Sequence, residues 1–406
     1  MLVAAAFGLS GQLDAYLMAF ALVGFPVTVL LNAGHSALVP ALVQAEGQGQ
    51  RQLLRAAIAG TLLFLGATLS LMALLLPQLV EAIGWALPGD RRSDVVGLGY
   101  ALIPYYVIAA INLFGYGVLQ ARRRFIANGS LPAIVPGMTI VLLVLSPQTD
   151  IRLLVYGLTL GVGAELLLLQ WLLMREGMTL VPELSRGLPA LTKMRREFLV
   201  LVPGAVVWSL IPLVDQALAS GSGEGAIASL AYGARVPAAI NGILATAIGV
   251  AALPYLSKMI GEKRIPACLY ALKRLSWVAL AGGAGIAAVL VLTADWVVQI
   301  VFERGAFDQN AREVVVPIQQ VYAIQLPGLL VSMLAVAVHL ALRRGAKLGI
   351  VAASMALLHV ICAWSLSRAF GVIGIAAAAA IVASVNGAWL LRSAERSLVL
   401  SESRAR

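Results

Sequence analysis

Arg235 is the residue of this sequence most able to hold a ligand, because it interrupts an apolar run, LAYGARVPAAING (230–242). It lies about nine residues into the apolar span expected at 226–256, roughly 13 Å deep at ~1.5 Å per residue. That is near the middle of a hydrocarbon layer ~30 Å thick. An ionisable group at that depth costs at least ~2.5–3.5 kcal/mol and needs a compensating environment. A guanidinium offers a planar fork that grips phosphate oxygens in pairs, so the expected chemistry is capture of an anionic headgroup. The bland alternative is a buried structural ion pair.

Other polar groups at depth are few. Asp215, in IPLVDQALASGSGEG (211–225), is expected to pair with Arg235 on the next helix or to take part in ion coupling, the bland alternative being an interfacial carboxylate that reaches water. Gln216 beside it and Asn241, six residues beyond Arg235, complete the candidate set, with Asn241 grouped with Arg235 as a headgroup ligand. Asp14, in GQLDAYLMAF (11–20), is a candidate for the cavity or ion coupling, although it stands at a helix start, where free N–H groups and the dipole favour a capping carboxylate. Glu165 interrupts GVGAELLLLQ (161–170) and is expected to line a cavity, carry a proton or serve a structural pair. His35, His339 and His359 share no ligand spacing and are expected to be hydrogen-bonded helix histidines. Cys268 and Cys362 form no metal-type pair, and no disulfide is expected.

The elements that must position these groups follow from composition. Of 406 residues, 61% are apolar and 12% charged. A soluble protein carries about half apolar and about a quarter charged residues, so a water-soluble enzyme, a disordered chain and a nucleic-acid reader are all excluded. What remains is an all-α polytopic membrane protein. At ~20 residues per crossing the chain holds about twelve helices and leaves no room for a soluble domain. No GxxxxGK[ST], HExxH or GxSxG motif occurs, so neither ATP hydrolysis nor hydrolytic catalysis is expected.

A short first segment reaches about Phe7. Further spans are expected at about 15–43, 54–86, 95–119, 126–146, 151–174, 198–219, 226–256, 268–302, 314–342, 348–366 and 371–391. The first segment is too short to cross alone, so either it is a half-helix or the true start lies upstream. Alternating the sides places 22 of the 29 lysines and arginines in inner connections. These include Arg122 to Arg124, the linker Arg175, Arg186, Lys193, Arg195 and Arg196, and the tail Arg392, Arg396, Arg404 and Arg406. That asymmetry puts both termini inside, and it explains the net charge of +10 without an acidic partner. The expected organisation is an N-terminal six-helix lobe over 1–174, a basic cytoplasmic linker over 175–197, a C-terminal six-helix lobe over 198–391 and a polar tail over 392–406. Similar halves suggest a parallel duplication of the kind transporters use. Pro26, Pro104, Pro203, Pro212, Pro237 and Pro327 lie within spans, where they bend helices.

Four stretches carry a family resemblance. LVDQALASGSGEGAIASLAYGARVPAAINGILATAIGVAALPYLSK (213–258) is similar to the seventh-to-eighth helix segment of the MurJ/MviN lipid II flippases, members of the multidrug/oligosaccharidyl-lipid/polysaccharide exporter superfamily. FGLSGQLDAYLMAF (7–20) with NAGHSALVPAL (32–42), YGVLQARRRFIANGSLPAIVP (116–136) and VFERGAFDQNARE (301–313) resemble further segments in order.

The resemblance implies two six-helix lobes around a central cationic cavity, in the bacterial cytoplasmic membrane. That cavity would hold the pyrophosphate and sugar head of an undecaprenyl-linked peptidoglycan precursor or related glycan. Arg235 matches the family's eighth-helix arginine, Asp14 an acidic residue of the second helix and Asp215 the seventh-helix aspartate. It also implies transport driven by membrane potential or a coupling cation of unknown identity. No other cofactor and no nucleic acid is expected, membrane lipids are the surroundings, and the chain is expected to act as a monomer. The sequence also departs from the family. It lacks the upstream first-helix arginines and the thirteenth and fourteenth helices. GFPVTVLLNAG (24–34) carries no cation where an arginine pair is usual, and Ala234 replaces the acidic residue before the arginine. The alternatives are a cation-coupled exporter of the same superfamily and an inactive or scaffold paralogue in an envelope-polysaccharide pathway.

Overall fold

A computed structural model of the chain describes residues 1–45, 47–146, 150–183, 189–342 and 344–403. Arg186, Arg343, Arg404 and Arg406, assigned above to inner connections, lie outside the described residues, as does 184–188 of the basic linker. Fourteen helices follow in order: α1 Leu2–Phe7, α2 Gly11–Gln44, α3 Gly47–Ile83, α4 Gly89–Ala121, α5 Phe125–Ser130, α6 Ile134–Leu145, α7 Arg152–Arg175, α8 Pro189–Ser220, α9 Ala226–Gly261, α10 Ile265–Leu292, α11 Ala294–Phe302, α12 Gln309–Ala323, α13 Leu326–Ala341 and α14 Gly345–Ser403. Among the described residues no named strand forms; the one β-bridge joins Arg304 and Phe307.

Among the described residues, ten helical stretches are long and apolar enough to cross a membrane. Their outward side chains are themselves apolar: Leu74 is 73% exposed and Trp277 70%. Water would not tolerate such a surface, whereas lipid does. The protein is therefore a multi-pass membrane protein. The last stretch, at ~1.5 Å per residue, is long enough to cross twice. It is interrupted at Gly371, whose φ of 56° and ψ of −136° suit glycine alone. Gly374 lies against the backbone of Leu366 and Ser367, so the chain folds back here. This matches the separate spans expected at 348–366 and 371–391.

Three expected spans are subdivided. The run 268–302 is not one span: α10 ends at Leu292, Thr293 turns its hydroxyl back to the Val289 carbonyl at 2.7 Å, and α11 begins. The run 314–342 breaks at Ile324 and Gln325, before Pro327, which a helix accepts in its first turn but not deeper. The run 126–146 passes through a 3₁₀ turn at Leu131–Ala133 that carries Pro132.

The described residues form two compact units, whose border falls within α8. In the first, Gly11–Leu213, α2, α3 and α7 pack on α4, and α6 packs on α7. Lipid gives helices little hydrophobic reason to associate, so close contact depends on small residues. A Cβ at Gly117 would stand 2.8 Å from Leu38 Cδ2, and one at Gly157 2.7 Å from Thr139 Cα. At one end of this unit the segment after α7 is clamped by charge. Glu176 accepts from Arg122 Nη1 at 2.9 Å and Arg124 Nε at 3.1 Å, and Glu183 lies 2.6 Å from Arg55 Nη1.

The second unit comprises, among the described residues, Met1, residues 3–10 and those from 214 to 403. Within it α13 contacts α9, α10 and α14, while α12 packs on α9 and α14. A Cβ at Gly387 would stand 2.6 Å from the Gly328 carbonyl oxygen, so α13 and α14 touch through backbone. The short α1 belongs here. The Ala306 N–H donates to the Ala5 carbonyl at 2.8 Å, and Phe307, 1% exposed, anchors the loop that receives it.

Candidate functional site

Arg235 is the tenth residue of α9. The start of that helix is fixed at Gly225, where φ is 79° and a side chain would collide with the Leu9 carbonyl. One turn before the arginine, Tyr232 fits an aromatic cluster with Phe302 and Phe307, ring centroids 5.2 and 5.4 Å away. Gly233 faces Ile318 and Gln319 of α12. These contacts hold one side of α9 and leave another free. Arg235 is exposed, and among the described residues no ion pair or hydrogen bond engages it. Below it on the same helical face, Ala238, Ala239, Gly242 and Thr246 are exposed and small. A Cβ at Gly242 would meet nothing within 4 Å. The arginine therefore stands above an unobstructed strip of backbone and small side chains, with its five N–H donors uncommitted to protein.

Asn241 shares this helix but not this face. Six residues from Arg235, it lies about 120° around the axis. It is half-buried, and its Oδ1 has no hydrogen-bond partner among the described residues.

Asp215 does not pair with Arg235, which corrects one of the roles expected for it. Its Oδ1 lies 2.7 Å from Nε2 of His359 on α14. The physical reason is placement: Asp215, near the end of α8, meets an imidazole from 144 residues away, while Arg235 is turned to the open face of α9. Gln216 beside it is half-buried, and its Oε1 has no hydrogen-bond partner among the described residues.

Asp14 and Glu165 belong to the first unit. Asp14 sits in the first turn of α2 and is 1% exposed. Glu165 on α7 is buried and accepts a hydrogen bond from the Tyr116 hydroxyl of α4. Asn112, one turn from Tyr116, donates through Nδ2 to the Val162 carbonyl at 3.2 Å. No cation lies within ion-pair distance of Glu165 among the described residues.

His339 is hydrogen-bonded as expected, with Nδ1 2.9 Å from the Ala335 carbonyl and Nε2 3.1 Å from Ser393 Oγ. The side chain of His35 lies outside the described residues. Sequence reasoning missed Tyr116 as the partner of Glu165. No local signal marks it, since it is an aromatic residue in an apolar helix.

Comparison with known proteins agrees with this architecture. The family model described as "Lipid II flippase MurJ" matches residues 3–405. A "Probable lipid II flippase MurJ" of Synechocystis is 25% identical over 356 residues, covering 80% of this chain and 64% of the relative. One from Rhizobium tropici is 24% identical over 276 residues, covering 66% and 51%. The matched regions thus span about half to two thirds of these relatives' length. Among solved structures, a lipid II flippase MurJ in an inward closed conformation aligns with TM-score 0.80 at 20% identity, covering 99% of this chain and 86% of that one. An inward-facing multidrug resistance MATE family transporter aligns with TM-score 0.83 at 16% identity, covering 99% and 94%. On the match over almost its whole length, the chain belongs to the lipid II flippase MurJ family.

Proposed function

We propose that this protein is a flippase that carries the head of a polyprenyl-pyrophosphate-linked cell-wall precursor from the inner to the outer leaflet of the bacterial cytoplasmic membrane. The linker over 175–197 and both termini face the cytoplasm in this reading, as the lysine and arginine distribution favours. The observation that carries it is Arg235: a cation within a membrane-spanning helix, exposed and unpaired among the described residues, above a strip of small residues. A structural arginine would be neutralised by a neighbouring carboxylate, because an unpaired buried charge is costly. An arginine kept free suits a ligand that arrives with its own negative charge.

The physical task is to move a charged, hydrated head through hydrocarbon while the polyprenyl tail stays in lipid. Desolvating the pyrophosphate is what blocks the uncatalysed movement. A bidentate guanidinium replaces part of the lost hydration, and alternating access exposes the site to one leaflet and then the other. No bond is made or broken, so no catalytic group is required. Asp14, Asp215, Gln216 and Glu165 serve the cavity or ion coupling in this reading, and Asn241 contributes an amide to the head. Arg235→Ala should abolish complementation of a strain lacking its own flippase while the protein still reaches the membrane. Full complementation by that variant would remove the arginine from the mechanism.

A further inference from the structure

One cavity of the second unit combines unspent charge with a long apolar wall. α10 and α14 both pack on α13. Gly283 lets α10 come close at Pro327, whose Cα would stand 2.8 Å from an added Cβ. Nearby a cavity of about 710 Å³ opens between α10 and α14, with Gly328 and Val331 of α13 in its wall. Along α14 it runs from Ser384 to Glu395, roughly 16 Å at ~1.5 Å per residue. That is about half of a hydrocarbon layer ~30 Å thick, the depth of one leaflet. Its charges gather at one end: Lys273 of α10, and Arg392 and Glu395 of α14. Among the described residues no ion pair or hydrogen bond engages any of the three. One turn deeper on α10, Ser276 is 4% exposed, and its Oγ has no hydrogen-bond partner among the described residues. Trp277 beside it also lines the cavity and is largely exposed.

We propose that this cavity holds an inner-leaflet glycerophospholipid whose head carries a primary amine, as in phosphatidylethanolamine. The charges are complementary: two cations meet one phosphate, and one carboxylate meets one ammonium. The Lys273 ammonium and the Arg392 guanidinium donate to the phosphate, while the lipid ammonium donates to Glu395. The ester carbonyls of such a lipid lie below its phosphate, on the side where the buried Ser276 hydroxyl needs an acceptor. An acyl chain then follows the apolar wall toward Leu280 and Ile324. Trp277 stands at headgroup height, where aromatic side chains concentrate. A head with a phosphate and no amine leaves Glu395 without a counter-charge, and a quaternary ammonium has no N–H to donate. Basic pockets between helices on the cytoplasmic side recognise lipid heads by the same electrostatics. Lys273 and Arg392 face that side in the orientation proposed above. The lipid site does not depend on what the protein transports.

Native mass spectrometry of the purified, delipidated full chain gives the affinities for phosphatidylethanolamine, phosphatidylglycerol and phosphatidylcholine with identical acyl chains. Phosphatidylethanolamine should bind at least about fivefold more tightly than either of the others. Glu395→Gln should remove that preference. Lys273→Gln combined with Arg392→Gln should weaken phosphatidylethanolamine binding about tenfold or more. Lys273 and Arg392 are exposed and unpaired among the described residues, so lipid-free melting should stay as in the parent protein. A second measurement locates the lipid without altering the charges. The chain has seven tryptophans, so quenching by phosphatidylethanolamine with brominated acyl chains is assigned by difference. At one brominated lipid per protein, Trp277→Phe should remove about half of the quenching or more. Equal or tighter binding of phosphatidylglycerol or phosphatidylcholine, or a preference that survives Glu395→Gln, overturns the assignment of the amine. Undiminished binding by the doubly substituted protein, or quenching that Trp277→Phe leaves unchanged, overturns the site.

Discussion

Replacing Arg235 by alanine isolates the contribution of one guanidinium, because the structure gives it no protein partner to strand. No ion pair or hydrogen bond engages it among the described residues, and the side chain is exposed. Stability should therefore stay within about 0.5 kcal/mol of the parent protein. Binding of the pyrophosphate head should suffer much more. Charge-assisted hydrogen bonds contribute ~1.5–3 kcal/mol, and each ~1.4 kcal/mol is a factor of ten. The expected weakening is thus about 10- to 150-fold for a short-chain polyprenyl pyrophosphate. Arg235→Lys, which keeps the charge but loses the planar fork, should fall between the two. Affinity by native mass spectrometry or by competition with a labelled analogue gives the ratio directly, with thermal unfolding in detergent as the control. Equal affinities for parent and alanine variant, at equal stability, would refute the argument that an unpaired arginine signals an anionic ligand.

Three further outcomes follow from the packing. Gly371→Val forces a side chain into a glycine backbone conformation and should cost ~1–3 kcal/mol, read as a lower unfolding temperature or reduced membrane yield. Tyr116→Phe leaves an oxygen of buried Glu165 without its donor and should lower stability by ~1–3 kcal/mol; an unchanged melting curve would show that water replaces the hydroxyl. Glu176→Ala frees Arg122 and Arg124, but these pairs are partly exposed, so the loss should stay below ~2 kcal/mol and shrink in high salt.

Apolar run length and basic-residue position made most of the spans legible in the sequence. The expected runs 151–174 and 226–256 correspond closely to α7 and α9. Helices that continue beyond the apolar run were not legible: α3 begins at Gly47 and carries Arg51 and Arg55 in its first turns, since a helix does not stop where hydrocarbon does. Breaks at Thr293 and at Gln325 were also hidden, because one or two polar residues do not divide an otherwise apolar run. Arg235 could be singled out from one sequence because a charge in an apolar run is a local anomaly. The partner of Asp215 could not, since His359 arrives from another helix far along the chain, and sequence spacing gives no hint of it. Glu165 was visible for the same reason as Arg235, whereas Tyr116 became its partner only through the packing of α4 on α7.

Movement of the head across a bilayer by the purified chain tests the central claim most directly. Vesicles would carry a labelled polyprenyl-pyrophosphate-linked precursor, with an enzyme or quencher confined to one side reporting which leaflet holds the label. Vesicles containing this protein should redistribute the label between leaflets, and those containing Arg235→Ala should do so far more slowly. Label that stays in its original leaflet, as in protein-free vesicles, at every membrane potential and pH gradient imposed, would contradict the account.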